Sequence, residues 1–326
     1  MPSPPQTRPM TDSSRPPAEQ GDDAESEGAD DLGAPACVMA FNANDPSGAG
    51  GLSADIGAIA SVGAHALAVA TGAYVRDSSE ILDHFCMDED AVSEQARVIL
   101  EDIPVQVFKL GFVGSPENLG VVAGIASDYG DTPLVAYMPD LSWWEERQIE
   151  EYLDAFGQLI LPQTSVLVGS HGTLWRWLLP DWNEERSPTP RDIAGAAAVL
   201  GAPYTLVTGI AASDQHFENV LANAHQVLLS LRFERFDATF SGAGDTLSAA
   251  LAALLASGED IETATREALA YLDRCLDGGF RPGMGHALPD RMFWAQIDND
   301  SADSEPESTQ PASAESFGLP SSDTRH

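Results

Sequence analysis

Positive charge is scarce in this chain. Its 326 residues include 16 Lys and Arg against 51 Asp and Glu, a net charge of −35. Lys109 is the single lysine, and the other 15 basic residues are Arg. A surface so acidic excludes nucleic acid and anionic membranes as expected partners. It suits a protein kept apart from its neighbours by its own charge. Cysteine is scarce as well. Cys37, Cys86 and Cys275 are scattered with no CxxC spacing, so neither a disulfide framework nor a zinc knuckle is expected. Buried free thiols in a reducing compartment are. No apolar run approaches the ~18 residues of a membrane span. The N-terminus lacks a basic start followed by an apolar core, so no secretory signal is expected and the cytoplasm is the default.

Residues 1–34 and 297–326 are rich in Pro, Ser, Asp and Glu and poor in large apolar side chains. They cannot offset their ordering entropy by burial and are expected to be disordered tails. The folded part then spans 35–296. Hydrophobic residues make up 43% of the chain, enough for a sizeable core.

Continuous apolar runs at 36–41, 66–75, 105–112, 133–138, 165–169 and 204–209 read as strands covered on both faces. Helical patterns fall between them, at 53–62, 89–102, 116–128, 143–157, 190–200, 244–257 and 260–278. Ser142-Trp143-Trp144-Glu145 has capping-box spacing and is expected to start one of them. This alternation predicts an α/β fold with a mainly parallel sheet and helices on both faces. Its ligands belong beyond the carboxyl ends of the strands.

Two glycine-rich segments flank strands and so fall near that edge. "NANDPSGAGGLSAD" (42–55) follows the first strand and enters a helix. By itself it reads equally as a plain βα loop. "SGAGDT" (241–246) opens the helix at 244–257. Small residues leave the first amides uncrowded, a setting that suits an anion such as a phosphoryl group. Asp245 would repel that anion, so it reads as a base taking the proton of the attacking hydroxyl. The alternative is an Asp that only caps its helix.

Together the two segments resemble the ribokinase superfamily, and more closely the hydroxymethylpyrimidine/phosphomethylpyrimidine kinases of thiamine biosynthesis. "FKLGFVGSPE" (108–117) and "GMGHALPDRMFW" (283–294) extend the similarity over roughly residues 36–294. The resemblance implies a ribokinase-like three-layer α/β/α fold. It implies phosphorylation of a hydroxymethylpyrimidine or its monophosphate with ATP and Mg²⁺, a small-molecule substrate, and compatibility with a homodimer. It makes Asp245 the base and Gly242, Ala243 and Gly244 the anion hole. Ala43, Asp55 and Phe112 fall at substrate-contacting positions of the family.

The sequence departs from the family in places. Those kinases usually carry Cys where Asp245 stands, and here the chain looks like ribokinases and pyridoxal kinases. Arg76 stands at the family's substrate-reading Gln. Having donors only, it would suit a carboxylate or phosphate. Ser170-His171-Gly172-Thr173 replaces an Asn-x-x-Glu that helps place Mg²⁺. Thr208 and Gly209 resemble the nucleotide-binding Thr segment of pyridoxal kinases and ribokinases. A pyridoxal-type kinase, and a catalytically weak pyrimidine- or nucleotide-binding regulator, remain as alternatives.

The remaining candidates have ordinary readings. Lys109 reads as a phosphate contact or, more simply, as a snorkelling surface residue. His171 and His286 read as loop histidines. Trp143, Trp144, Trp175, Trp177 and Trp182 read as packing residues.

Overall fold

The computed structural model describes residues 34–212 and 215–295. The tails expected at 1–34 and 297–326 lie, but for Ala34, outside the described residues. The strands are β1 (Cys37–Asn44), β2 (His65–Arg76), β3 (Ile81–Cys86), β4 (Val107–Leu110), β5 (Leu134–Met138), β6 (Val166–Ser170), β7 (Tyr204–Ala211), β8 (His216–Ala222) and β9 (Val227–Glu234). They form one nine-stranded sheet in the order β3-β2-β1-β4-β5-β6-β7-β8-β9. The six strands from β2 to β7 in that order run parallel, while β3, β8 and β9 are added antiparallel at the edges.

The parallel strands feed two cores. Along β1, Val38 and Ala40 face one helix layer, while Met39, Phe41 and Ala43 face the other. The first layer holds α1 (Gly51–Ser61), α7 (Ala243–Ala256) and α8 (Ile261–Asp277). The second holds α2 (Glu89–Leu100), α3 (Pro116–Asp128), α4 (Glu146–Ala155), α5 (His171–Leu178) and α6 (Pro190–Val199). The expected α/β/α sandwich is thus present.

Several elements differ from expectation. β3, β8 and β9 carry polar residues between apolar ones and so lack the continuous apolar signal of buried strands. Ser142 does not cap α4. Its amide is taken by the Asp140 carboxylate in a turn, and the helix begins at Glu146. His171 is not in a loop but opens α5, capped by Ser170. Cys86 is exposed rather than buried, whereas Cys275 is buried.

α7 is the most deeply placed helix. Thr246 to Ala253 are all buried, and the Ala- and Leu-rich sequence favours helix while fitting closely against the sheet. It starts at Gly242, whose φ of +84° lies in the left-handed region. No side chain caps it. A β-carbon at Gly242 would also run into the carbonyl oxygen of Ala49. The chain leaves β1 for β2 on one side and later returns to β4 on the other. This reversal opens a crevice beyond the carboxyl ends of β1 and β4, the ordinary ligand position in such sheets.

Candidate active site

Asn42, near the end of β1, begins the site. Its side-chain amide donates to Asp245 Oδ1 and to Asp55 Oδ2, both at 2.9 Å. Its own oxygen accepts from the Ala43 and Phe112 amides, which fixes the side chain. Lys109 reaches the same point from β4. Its Nζ lies 2.7 Å from Asp55 Oδ1 and 3.1 Å from Asp245 Oδ1. The Lys109 and Asp55 side chains are fully buried, whereas that of Asp245 is 17% exposed. Lys109 is therefore neither a surface residue nor open to a phosphate. It is the ion that joins Asp55, from α1, to Asp245, from the first turn of α7.

One ammonium stands between two carboxylates. Burial pushes Asp55 up to about 6, against the opposing pull of Lys109 and with a further push from Asp245. Burial also pulls Lys109 down, but the two carboxylates more than offset it and raise its pKa above the usual lysine value. A group raised in this way remains an ammonium. Asp245 thus keeps an ordered oxygen toward Asn42 and Lys109, while Oδ2 is directed to the loop before α1. A β-carbon at Gly50 would lie 2.8 Å from Asp245 Oδ2.

That loop is organised by Asp45. Its Oδ1 accepts from the Ser47 amide and hydroxyl, and its Oδ2 from the Gly50 amide at 2.8 Å. Arg76 donates to Asp45 Oδ2 at 3.2 Å, to Ser241 Oγ and to the Asp77 carbonyl. Ser241 Oγ lies 3.0 Å from His286 Nδ1. The guanidinium expected to await an anionic substrate is already neutralised by a buried carboxylate.

A cavity of about 410 Å³ opens over these groups. Its polar lining includes the charged Asp45, Arg76, Glu80, Asp140 and Asp245, with Ser241, Gly242 and His286 beside them, and Tyr74, Tyr137 and Trp143 supply aromatic surface. Of the catalytic, anion-hole and substrate residues expected from the sequence, Asp245, Gly242 and Arg76 reach this wall. Ala43, Asp55 and Phe112 do not. Asp55 lies beneath Lys109, and Ala43 is 1% exposed with its amide bonded to the Phe112 carbonyl. Phe112 stacks on Tyr74 at 5.6 Å and meets Trp143 edge-on, so these two rings present the apolar surface in its place. Trp143 is thus both a packing and a lining residue, and His286 is more than a plain loop histidine. Ala243 and Gly244 are also off the wall: the Tyr137 ring and hydroxyl occupy the place of a Gly244 side chain. Burial and the Asp245, Asp140 and Asp55 charges raise Tyr137, which leaves a phenol able to donate.

Thr208 and Gly209 fall elsewhere along the edge. Thr208 Oγ1 donates to the Gly169 carbonyl, and the Gly209 amide donates to Asn219. Gly209 lines a second cavity of about 470 Å³ with His216, Phe217 and Arg235. At Ser170–Thr173 the structure offers a helix cap and no carboxylate. Among the described residues no group of three or more His, Cys, Asp and Glu could hold a metal ion.

Sequence reasoning overlooked Asn42, Tyr137 and the role of Lys109. Only Lys109 carried a signal, being the one Lys in a chain that otherwise uses Arg.

A nine-stranded, mainly parallel sheet between two helix layers, with its crevice facing the glycine start of α7, defines the ribokinase-like fold. Among solved structures, the ADP complex of Bacillus subtilis pyridoxal kinase matches with a TM-score of 0.71 at 20% identity, covering 80% of this chain and 99% of that one. Phosphomethylpyrimidine kinase from Clostridium difficile matches with a TM-score of 0.60 at 18% identity, covering 72% and 98%. The profile of the phosphomethylpyrimidine kinase family matches residues 45–290, and the chain belongs to that family. Hydroxymethylpyrimidine/phosphomethylpyrimidine kinase of Mycobacterium tuberculosis is 25% identical over 270 residues, which cover 79% of this chain and 94% of that protein. Among the described residues, no helix is long and apolar enough to cross a membrane.

Proposed function

We propose that this protein is an ATP-dependent kinase of a hydroxymethyl heteroaromatic compound, with hydroxymethylpyrimidine or its monophosphate as the first candidate. The observation that carries the reading is the placement of Asp245. It is an ordered carboxylate on the cavity wall, in the first turn of a helix whose leading amides have no partner within the helix. In this reading the heteroaromatic ring lies against Tyr74 and Trp143, with its hydroxyl at Asp245. Asp245 takes the hydroxyl proton as the oxygen attacks the γ-phosphorus of ATP, and the bond from that phosphorus to the bridging oxygen breaks to release ADP. In this reading the backbone of Gly242 and Asp245, the two wall residues at the start of α7, faces the charge on the transferring group, and the nearby Tyr137 phenol adds a donor. Lys109 and Asn42 hold Asp245 Oδ1 and leave Oδ2 for the proton.

For ATP, the cavity beside Gly209 supplies an apolar ring in Phe217 and a cation in Arg235. In this reading a nucleotide lies there, against Gly209, which lines the cavity; Thr208, whose hydroxyl is bonded to the Gly169 carbonyl, lies beside it rather than in its wall. Mg²⁺ would be held chiefly by the ATP phosphates, as is usual for this ion.

A pyridoxal-type kinase is the alternative, favoured by the aspartate at 245. The test is ADP release by pure protein given ATP, Mg²⁺ and a panel of hydroxymethylpyrimidine, its monophosphate, pyridoxal and pyridoxine. Turnover with a pyrimidine supports the first reading, and turnover with pyridoxal or pyridoxine alone replaces it with the second. Nucleotide binding without turnover on any acceptor would favour a regulator.

A further inference from the structure

The closing stretch 283–294 contains a cation outside the network described above. Arg291 follows α8, and its backbone is anchored from two helices: its carbonyl accepts from Ser61 Oγ of α1 at 2.6 Å and from Tyr271 Oη of α8 at 3.0 Å. The side chain then runs along Gly57, whose β-carbon would lie 3.2 Å from Arg291 Cδ. It ends between the two functional segments. Nε donates to Thr246 Oγ1 at 2.9 Å, Nη1 to the Gly48 carbonyl at 3.0 Å, and Nη2 to the Ala49 carbonyl. Nη2 also lies 3.0 Å from the place of a Gly242 β-carbon, directly behind the first turn of α7.

All three partners are neutral oxygens. Among the described residues, Arg291 forms no ion pair with a carboxylate. This contrasts with the site's other cations: Arg76 is matched by Asp45, and Lys109 by Asp55 and Asp245. A guanidinium held only by carbonyls and a hydroxyl keeps its full charge, and a largely desolvated setting screens that charge weakly. Burial lowers its pKa, while the Asp245 charge acts in the opposite direction. An arginine lowered in this way still carries its proton at neutral pH.

We infer that Arg291 is the fixed positive charge behind the phosphoryl site, a positioning residue that clamps loop 45–50 to α7 and sets a favourable field for an anion at Gly242–Asp245. It would partly cancel the repulsion between Asp245 and the incoming phosphoryl group. This inference rests on the kinase reading for its activity arm, but not for its binding arm.

The test compares Arg291→Lys, which keeps the charge, with Arg291→Gln, which keeps amide donors and loses it. Both give up the planar fork, so both should melt lower than the parent by similar amounts. The expected result is turnover within about threefold of the parent for Lys and a loss of about tenfold or more for Gln, with acceptor KM unchanged in both. In the second arm, inorganic phosphate is titrated and the rise in melting temperature recorded. The parent and the Lys variant should be raised more than the Gln variant. Equal turnover in Lys and Gln variants, or equal protection by phosphate, would overturn the inference and leave Arg291 a structural clamp. If the parent turns over no acceptor, the kinase reading fails, and the phosphate arm alone decides Arg291.

Discussion

At the scale of single residues, the structure leaves Asp245 no capping bond to make, so its substitution reads its role as a base. Asp245→Asn keeps size and polarity but cannot take the proton, so turnover should fall by ~10²–10⁴ while ATP affinity holds. Steady-state kinetics with nucleotide titration check this, and parent-like turnover would end the base assignment. Lys109→Met should be more damaging to the fold. It leaves Asp55 and Asp245 facing each other without their shared counter-ion, which should cost ~3–5 kcal/mol in chemical denaturation. Asp55 gives a pH signature of its own. Its folded pKa, about 6, lies above the 3.8 of the free side chain, so the folded state holds the extra proton and Asp55's contribution to stability declines as pH rises through that window. Relative to Asp55→Asn, which does not titrate, the parent should lose roughly 1 kcal/mol between pH 5 and pH 7.5. A pH-independent difference would show that Asp55 is not raised.

At the scale of elements, the start of α7 should tolerate no side chain. Gly242→Ala meets both a left-handed backbone and the Ala49 carbonyl, so a destabilisation of at least ~1–2 kcal/mol is expected in thermal melts. The legibility of the elements followed the environment of each. β1, β4, β5 and β6 were readable because burial on both faces demands a mainly apolar run, interrupted in β4 by Lys109 and in β1 by Asn42, both residues of the site. The edge strand β3 and the β8–β9 hairpin were not, since a strand wetted on one face can admit Asp83 or Glu218, and the covered face of β3 uses His84, packed on Phe112 and Trp144, in place of an apolar residue. The glycine start of α7 at Gly242, with Asp245 in its first turn, was readable from local spacing alone. Arg76 was placed correctly on the wall but misjudged, because its neutralising partner Asp45 comes from a different loop. The meaning of Lys109 depended on Asp245, 136 positions away in sequence. No local pattern announces that a lysine will find two carboxylates.

At the scale of the whole molecule, the excess of acidic charge should make stability depend on salt. With a net charge of −35 on the chain, repulsion across the surface opposes the compact state. Added KCl shortens the screening length from ~10 Å at 0.1 M to ~3 Å at 1 M. The melting temperature should therefore rise by several degrees over that range, and a flat response would mean that the surface charges are already offset locally. Removing residues 1–34 and 297–326 should leave the melting temperature and nucleotide affinity of the 35–296 fragment unchanged, since both tails are poor in apolar groups. A large drop in either would show that the tails contribute to the fold.

The burial of Lys109 makes the molecule its own reporter. Since it is the single lysine and its side chain is wholly enclosed, acylating reagents find no side-chain amine on the folded surface. Lys109 reacts only in molecules whose core has opened, as it is then freed from Asp55 and Asp245. The rate at which its mass shift accumulates, followed by peptide mapping after cleavage at arginine, measures how often the centre of the site comes apart. A ligand that closes the cavity should slow that clock.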